Sequence, residues 1–251
     1  MADSHEIRIG TAGWSIPRQS AARFTSPGTH LERYARELTC AEINSSFYRP
    51  HAVSTYVKWR DATPEDFRFA VKMPRTITHE LKLRHARQAF ADFLAQSDGL
   101  GRKRGPILVQ LPPSLSFDAT VVADFFGGVR AAYEGPLVCE PRHPTWFAPN
   151  VASLLDRCRV ARVAADPPPP SVALAPDGWP HLAYYRLHGS PGMYWSRYDL
   201  TFIATLSAAM RRLSQAAEVW CIFDNTASGA ALENAWELRE AVTAEFAAGP
   251  P

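Results

Sequence analysis

Ionisable side chains cluster just after a short apolar run near the middle of the chain. Segment 137–147 reads LVCEPRHPTWF, so Glu140, Arg142 and His143 follow the apolar run 137–139 within four positions. Two prolines in the segment push the residue before each of them toward extended backbone, which prevents a helix from starting there. An acid, a guanidinium and an imidazole are costly to desolvate unless they pair or bind something. We therefore predict a functional site at this strand end.

Basic side chains elsewhere in the chain are suited to holding a negatively charged ligand. Arg142 and Arg186 can each clamp a phosphate or carboxylate through two parallel hydrogen bonds, and Lys72 can add a compact charge. His143 is a further candidate ligand contact. These residue types predict a small anionic ligand.

Acids and imidazoles supply the candidates for proton transfer. Glu140 or Glu42 can act as a general base, and His188 or His143 can carry a proton near neutral pH. Asp166 is a further candidate catalytic acid. Aromatic side chains near predicted strand ends can stack on a base or sugar, although each aromatic is more often a packing residue. These aromatic residues are Trp14, Tyr48, Trp146 and Tyr194.

The elements that must position these residues alternate between strand and helix along the whole chain. Apolar runs predict strands near 7–10, 40–44, 67–72, 107–111, 137–140, 160–165, 182–187 and 219–223. Helical spacing predicts helices at 30–38, 86–100, 200–213 and 230–246, and three more that begin at the caps Ser54, Asp118 and Asn150. A proline-rich connection, 167–180, follows the sixth strand and cannot form an ordinary helix.

Eight strands with about as many helices in 251 residues predict one α/β domain, a TIM-type (β/α)8 barrel over 1–251, since such barrels have ~250 residues. A doubly wound open sheet is the alternative. That fold normally carries a G-x-G-x-x-G turn after its first strand, and the sequence GTAGWS does not fit it. The barrel is favoured, and we expect no bound cofactor.

The alternation of side chains along each strand predicts which residues face the interior of this barrel. Residues two apart in a strand share one face. Near the predicted strand ends, every second residue is repeatedly polar, so the polar residues share one face. These are Glu42, Asn44, Lys72, Gln110, Glu140, Asp166, Arg186, His188 and Asp224. The opposite parity is mostly apolar. We therefore expect the polar set to face the interior and the C-terminal mouth, where barrel enzymes have their active sites.

Composition limits the classes of partner. The net charge is +2 and the pI about 8.4, so no global basic field indicates a nucleic acid or a membrane. The N-terminus has no apolar signal region, and no run approaches the ~20 apolar residues of a membrane span. The four cysteines form no C-x-x-C pair and fit buried apolar positions. We expect a cytoplasmic protein, and the sequence carries no indication of oligomeric state.

Four segments, in order along the chain, resemble a known family. They are EINSSFYR at 42–49, FAVKMPRTITH at 69–79, PRHPTWF at 141–147 and YRLHG at 185–189. In these motifs the chain resembles the domain-of-unknown-function family 72 (DUF72, also called YecE-like) over nearly its whole length. The resemblance implies a barrel of TIM type and an uncharacterised biochemical activity.

The resemblance also carries the family's motif positions over to this chain. The motif positions include Trp14, Glu42, Asn44, Tyr48, Lys72, Gln110, Glu140, Arg142, His143, Trp146, Asp166, Arg186, His188 and Asn225. Two positions depart from the pattern. Ile16 and Pro17 stand where the family usually has an aromatic, and Pro141 replaces the aromatic before Arg142. The first loop and the support of Arg142 are therefore expected to differ from the family's.

Several hypotheses about function stay open at this point. The favoured one is an enzyme with hydrolase- or lyase-like acid/base chemistry on an anionic, phosphate-containing substrate. A variant adds a divalent metal on Glu140, Asp166, His188 and Asp224. The alternative is a non-catalytic binder of nucleic acid or another phosphorylated ligand, using the basic segment 75–87. A structural interpretation makes the charged set an ion-pair network that plugs the barrel.

Overall fold

A ring of parallel strands organises the structure. The computed structural model describes residues 5–24 and 27–248. The strands are β1 (Ile7–Ala12), β2 (Cys40–Ile43), β3 (Arg68–Lys72), β4 (Arg104–Gln110), β5 (Leu137–Glu140), β6 (Val160–Arg162), β7 (Ala164–Asp166), β8 (Asp177–Gly178), β9 (Leu182–Leu187) and β10 (Glu218–Phe223). They form one sheet in the order β7-β9-β10-β1-β2-β3-β4-β5-β6-β8.

Segment 160–166 closes the ring. Its first half, β6, pairs with β5, where Ala161 lies opposite Val138. Its second half, β7, pairs with β9, where Ala165 lies opposite Arg186. Taken as one strand that changes partner at Val163, β6 and β7 complete a nearly closed barrel of eight parallel strands. The predicted TIM-type barrel is confirmed, with its sixth strand divided.

Helices connect the strands on the outside of the ring. In the described part of the chain they are α1 (His30–Tyr34), α2 (Val53–Asp61), α3 (Arg87–Ser97), α4 (Ala119–Ala132), α5 (Pro149–Arg157), α6 (Leu200–Leu213) and α7 (Ala230–Ala248). Short helical turns precede some of them, at Ser45–Phe47, Thr76–Glu80 and Pro144–Phe147. Across the described ranges, none of these helices combines the length and the apolar character that a membrane crossing needs.

Of the three predicted N-cap residues, one is found at the start of its helix. The carboxylate of Asp118 accepts hydrogen bonds from two backbone N–H groups in the first turn of α4, as predicted. The predicted caps Ser54 and Asn150 are wrong. Helix α2 already begins at Val53, and α5 begins at Pro149. Proline suits that first position because its missing N–H would have no intrahelical partner there.

The connection after β7 is irregular, as predicted. Residues 167–181 contain no α-helix and only the two-residue strand β8, which pairs antiparallel with β6. An ion pair of 2.6 Å between Arg162 and Asp177 fixes this connection to the outside of the barrel.

Two apolar layers lie on the two faces of the strands. The layer between strands and helices includes Ile43, Val71, Val109, Leu111, Leu187 and Phe223. The layer inside the barrel includes Cys40, Ala70, Leu108, Val138, Tyr184, Trp220 and Ile222. Because side chains alternate, the residues two positions further along these strands continue the inner series toward the mouth. The predicted parity is therefore confirmed for β2, β3, β4, β5, β9 and β10.

Candidate active site

An aromatic layer inside the barrel supports the charged residues of the mouth. The rings of Tyr184 and Trp220 stack with centroids 6.1 Å apart and planes 12° apart. The hydroxyl of Tyr184 donates a hydrogen bond of 3.0 Å to Oε2 of Glu42. Burial and the carboxylate of Glu42 raise the pKa of Tyr184 well above its ordinary value. This neutral hydroxyl therefore joins the apolar interior to the charged layer above it.

Arg186 is the centre of the charged layer. Its guanidinium is 1% exposed and contacts three carboxylates. Its Nη2 lies 2.8 Å from Glu42 Oε1 and 3.0 Å from Asp224 Oδ2, and its Nη1 lies 3.3 Å from Glu140 Oε2. Burial alone would lower the pKa of Arg186, but these three carboxylates raise it well above its ordinary value. The predicted role of Arg186 as a ligand clamp is therefore not supported, since its nitrogens are already occupied.

Glu140 is fully buried and accepts hydrogen bonds from several donors. Gln110 Nε2 and His188 Nε2 each lie 3.1 Å from its Oε1, which also pairs with Arg142. Burial alone would raise the pKa of Glu140, yet Arg142, Arg186 and His188 hold it well below the ordinary range. A carboxylate that stays ionised and has so many donors is a weak proton acceptor. Glu140 thus fits a fixed counter-ion better than the predicted general base.

His188 connects two of the acids. Its Nδ1 lies 3.0 Å from Asp224 Oδ2, and its Nε2 lies 3.1 Å from Glu140 Oε1. Burial alone would raise the pKa of Asp224, but Arg186, His188 and Lys72 lower it. The imidazole is completely buried. It therefore bridges two carboxylates, one at the end of β5 and one directly after β10.

Lys72 behaves differently from the other charged residues of the mouth. Its side chain is 6% exposed, and its Nζ lies 4.2 Å from the centre of the Phe47 ring. Across the described ranges no carboxylate approaches within 4 Å, and no hydrogen bond to the amine is found. Burial is the main cause that lowers the pKa of Lys72 to about 8, and the positive charge of Arg186 adds to it. At pH 7 about one tenth of the amine is therefore uncharged.

Arg142 lies beyond β5, at the edge of the charged layer. Its side chain is 15% exposed. Its Nη2 contacts both Glu140 and His188, the latter at 2.6 Å. In the described part of the chain, Nε and Nη1 have no hydrogen-bond partner. One edge of this guanidinium therefore remains open to a ligand.

An aromatic loop follows β9 at the mouth. Gly189, with φ of 92°, turns the chain into residues 190–196, which expose Met193, Tyr194 and Trp195. The Tyr194 ring meets the His188 ring edge-on, with centroids 5.7 Å apart. The backbone N–H of Ala227 and the hydroxyl of Ser228, after β10, donate hydrogen bonds to the loop. This loop places exposed aromatic surface beside the buried imidazole.

Asp166 does not join the charged cluster. Its partner across the sheet is Leu187, in the outer layer, while the preceding Ala165 is opposite Arg186. Its Oδ2 accepts a hydrogen bond of 2.6 Å from the hydroxyl of Tyr198, an outer-layer residue. The prediction that Asp166 faces the mouth is therefore wrong. A polar residue can face the helices here because a buried hydroxyl satisfies it.

Two of the predicted aromatic contacts are packing residues. Trp14 meets Trp59 of α2 at 5.1 Å and belongs to the outer layer. Trp146 is fully buried, and its indole N–H donates to the carbonyl of Leu115. Tyr48 is 73% exposed and contacts Phe47. Of these three rings, that of Tyr48 contacts Phe47, whose ring lies against the amine of Lys72.

His143 is engaged in a local turn. Its Nδ1 accepts a hydrogen bond from the backbone N–H of Thr145 and lies 2.9 Å from the hydroxyl of the same residue. This places His143 as the cap of the short helical turn Pro144–Phe147, outside the charged cluster. Its predicted role as a proton carrier is not supported by this geometry.

The two predicted asparagines each keep a buried oxygen without a partner. Asn225 is fully buried, and its Nδ2 donates to Ser196 O and to Asn234 Oδ1. In the described part of the chain, neither Asn225 Oδ1 nor Asn44 Oδ1 has a hydrogen-bond partner. Buried acceptors are normally satisfied. These oxygens are therefore candidates for hydrogen bonds from a ligand or from water.

The donor set does not suit a divalent metal. Within residues 5–24 and 27–248, no group of three or more His, Cys, Asp or Glu side chains has the arrangement of a metal site. Asp166 faces away from the other three proposed ligands, and Arg186 already contacts Glu140 and Asp224. The metal hypothesis is therefore not supported by the residues present.

A surface groove of about 960 Å³ lies on the outside of the barrel, between α3 and α4. Phe90 and Phe125 contribute to its lining, and Arg87 and Asp124 form an exposed ion pair there. None of the charged mouth residues lines it. The mouth, where ionisable groups converge, is the better candidate for chemistry.

Three residues that shape the site were not among the predicted site residues. Tyr184 precedes Arg186 by two positions, so strand parity alone could have placed it beneath the charged layer. Phe47 was evident only as a motif position, and its contact with Lys72 has no signal in the sequence. Tyr198, the partner of Asp166, lies 32 positions away in the chain and gives no signal either.

The fold and the mouth together define an α/β-barrel protein with a buried charged cluster at the C-terminal ends of its strands. The chain belongs to the DUF72 family, because the family model described as "Protein of unknown function DUF72" matches residues 8–251. The family predicted from the motifs is thereby confirmed.

Two bacterial relatives agree with this membership. The chain is 32% identical to the UPF0759 protein YecE of Escherichia coli K12 over 143 residues, which are 57% of this chain and 50% of YecE. It therefore matches about half the length of that relative. It is 22% identical to the UPF0759 protein YunF of Bacillus subtilis 168, with 98% of both chains covered.

Solved structures agree on the fold. A DUF72 family protein from Enterococcus faecalis V583 is similar with a TM-score of 0.81 and 24% identity, over 95% of this chain and 96% of the other. A DUF72 family protein from Thermotoga maritima MSB8 gives a TM-score of 0.78 and 22% identity, over 95% and 100%. At these identities the likeness establishes the barrel alone.

Proposed function

We propose that this chain is an enzyme that binds a small anionic substrate at the barrel mouth and transfers protons there through Lys72. The observation that carries the proposal is the state of the Lys72 amine. It is nearly buried, lies against the Phe47 ring, has no hydrogen bond or ion pair in the described part of the chain, and has a pKa of about 8. An amine with this pKa exchanges a proton readily near neutral pH, as acid/base catalysis requires.

A second buried lysine gives the comparison. Lys103 is 7% exposed, and its Nζ donates hydrogen bonds of 2.7 and 2.6 Å to the carbonyl oxygens of Arg60 and Thr63. Among the residues that the structure describes, none offers such an acceptor to Lys72. Burying an amine without a partner lowers stability. Such a cost is more readily explained by function than by packing.

Arg142 is the proposed contact for the negative charge of the substrate. Its Nε and Nη1 are without hydrogen-bond partners in the described structure, while Nη2 is fixed by Glu140. A guanidinium held at one end and open at the other can take a phosphate or carboxylate without a large loss of side-chain entropy. This supports the anionic substrate class.

The buried acids have a supporting role in this proposal. Arg186 fixes Glu42, Glu140 and Asp224, so the charges around Lys72 are already oriented before a substrate arrives. His188 contacts Asp224 through Nδ1 and Glu140 through Nε2, and so helps to hold both carboxylates in place. Hydrolase- or lyase-like proton transfer is the reaction class that these groups support best.

The basic segment 75–87 gives less support to a nucleic-acid binder. Arg75 pairs with Glu80, Arg84 with the helix-capping Asp118, and Arg87 with an acid on α4. These pairs reduce the positive charge that phosphate backbones would need. The small-molecule proposal is therefore favoured over this alternative.

Substrate depletion tests the proposal. The protein is incubated with a mixture of small phosphorylated and carboxylated metabolites, and mass spectrometry identifies any compound that disappears. We expect an anionic compound to be consumed by the unaltered protein and by Lys58→Met, a variant of an exposed lysine, but not by Lys72→Met. Consumption of no anionic compound, or equal consumption by Lys72→Met, would refute the proposal.

A further inference from the structure

We propose that the amine of Lys72 attacks the carbonyl carbon of its substrate and forms a covalent imine, so that the substrate is an aldehyde or ketone carrying a carboxylate or phosphate. This inference rests on the proposed function for the location of the site. The inference adds to the proposed function the covalent bond that forms and the class of substrate that takes part in this bond.

The surroundings of the amine support nucleophilic attack. A lysine that is paired with a carboxylate keeps its proton and has no free lone pair. Lys72 lies against an aromatic face instead, and no carboxylate in the described structure is within 4 Å. The hydroxyl of Ser46 donates a hydrogen bond of 2.7 Å to the Lys72 carbonyl, which fixes the backbone from which the side chain extends. Desolvation beside another cation is a recognised way to activate a lysine for imine formation.

The protonation state agrees with this geometry. With a pKa of about 8 in place of 10.5, roughly 300 times more of the Lys72 amine is neutral at pH 7 than for an ordinary lysine. The neutral amine is the nucleophile, since the ammonium has no lone pair to donate.

The proposed step balances without a further reactant. The nitrogen lone pair adds to the carbonyl carbon, and the oxygen receives a proton to give a carbinolamine. The carbon–oxygen bond then breaks, the oxygen leaves as water with both amine protons, and a carbon–nitrogen double bond remains. Protonation of this imine makes it an electron acceptor for bond cleavage at the neighbouring carbon. Addition of water reverses the sequence and frees the lysine.

Arg142 accounts for the charged part of the substrate. The open edge of its guanidinium and the amine of Lys72 are both in the same mouth, around the buried Glu140. A compound with a carbonyl group near a carboxylate or phosphate would engage both. The aromatic loop 190–196 beside His188 would cover its remaining surface.

Reductive trapping tests the inference, and the chain is well suited to it because it contains only four lysines, Lys58, Lys72, Lys82 and Lys103. Glyoxylate, an aldehyde with a carboxylate, is added with cyanoborohydride at pH 7, and peptide mapping measures the modification of each lysine. We expect Lys72 to be modified about tenfold faster than the exposed Lys58 and Lys82. Acetaldehyde, which lacks the anion, should modify Lys72 more slowly than glyoxylate does.

Three results bear on the inference separately from the proposed function. If Lys72 is modified no faster than Lys58, the proposed imine is overturned. If Lys72→Met nevertheless abolishes substrate depletion, the proposed role of Lys72 in proton transfer still stands. Equal trapping of Lys72 by acetaldehyde would overturn the anionic carbonyl class. Faster trapping by glyoxylate, lost in Arg142→Gln and kept in Arg157→Gln, a variant of α5, would support both parts.

Discussion

Arg186 and Glu42 form a two-point ion pair across the inside of the barrel, with Nη2 to Oε1 at 2.8 Å and Nε to Oε2 at 3.1 Å. The two residues are 144 positions apart in the chain, on β9 and β2. Arg186 also contacts Glu140 through Nη1 and Asp224 through the same Nη2 that meets Glu42. The guanidinium therefore ties three strand ends together, and the site is rigid at its base and open only near its rim.

Arg186→Lys is expected to destabilise the protein by about 3–5 kcal/mol, because an ammonium cannot reproduce the fork that faces three buried carboxylates. The free energy of unfolding in urea measures this. Arg159→Lys, at an exposed pair with Glu134, serves as the matched control and should change stability by less than about 0.5 kcal/mol. Equal effects of the two substitutions would contradict the assigned role of Arg186.

Lys72→Met is expected to stabilise the protein by about 1–3 kcal/mol at pH 7, since it removes a buried charge without leaving any acceptor unpaired. Lys103→Met is the matched buried control. It should cost about 1–3 kcal/mol, because the carbonyl oxygens of Arg60 and Thr63 would lose their donor. Urea unfolding of the two variants compares them directly. A large loss of stability in Lys72→Met would show that the amine has a structural partner.

The stability advantage of Lys72→Met should depend on pH. The pKa of Lys72 is about 8 in the folded protein and near 10.5 when unfolded, so between these values the unfolded chain binds more protons. The stability of the unaltered protein therefore rises with pH relative to the variant in this window. We expect the difference in the free energy of unfolding to be constant below about pH 8 and to disappear by about pH 10.5. A difference that does not change over this range would contradict the lowered pKa.

Glu140→Gln is expected to cost about 3–5 kcal/mol at pH 7, because it leaves Arg142 and Arg186 without a buried counter-ion. Because the pKa of Glu140 is held below its usual value of 4.5, its contribution is fully present above pH 4.5 and is lost as the pH falls through the folded pKa. Unfolding at several pH values should therefore bring the variant and the unaltered protein together in acid. Glu134→Gln, at an exposed acid, is the control and should have little effect at any pH.

Asp166→Asn is expected to leave the trapping of Lys72 by glyoxylate unchanged, because Asp166 faces the helices and not the mouth. Its hydrogen bond with Tyr198 would weaken, and stability should fall by about 1–3 kcal/mol. Peptide mapping and urea unfolding measure the two effects. A loss of trapping without a loss of stability would place Asp166 at the site after all.

Strand parity predicted the inward residues well, because in most strands the polar series and the interior coincide. It failed at Asp166, where Ala161, Val163 and Ala165 are the inward residues. Asp166 was predicted to face the interior because it is polar and ends a strand. It faces the helices instead, where the hydroxyl of Tyr198 donates a hydrogen bond to it. The sequence thus located the mouth and most of its members.

The pairing within the cluster could not be predicted. The sequence offers Lys72, Arg142 and Arg186 as equivalent cations, and only their three-dimensional surroundings separate them. Arg186 contacts three carboxylates, and within residues 5–24 and 27–248 no carboxylate lies within 4 Å of the Lys72 amine. Such differences depend on distances between strands far apart in the chain, for which local patterns carry no information.

The divided sixth strand has a consequence for what the mouth can accept. The inward side chains of this strand, Ala161, Val163 and Ala165, are small and apolar, whereas β2, β3, β5, β9 and β10 have ionisable inward residues at or directly after their ends. The mouth is therefore apolar along the divided strand and charged along several of the other strands. Under the proposed function, a substrate held by its charged end would place its hydrocarbon part against Ala165, which lies opposite Arg186 at the level of the charged layer, so a compact charged head with a short apolar tail would suit this mouth.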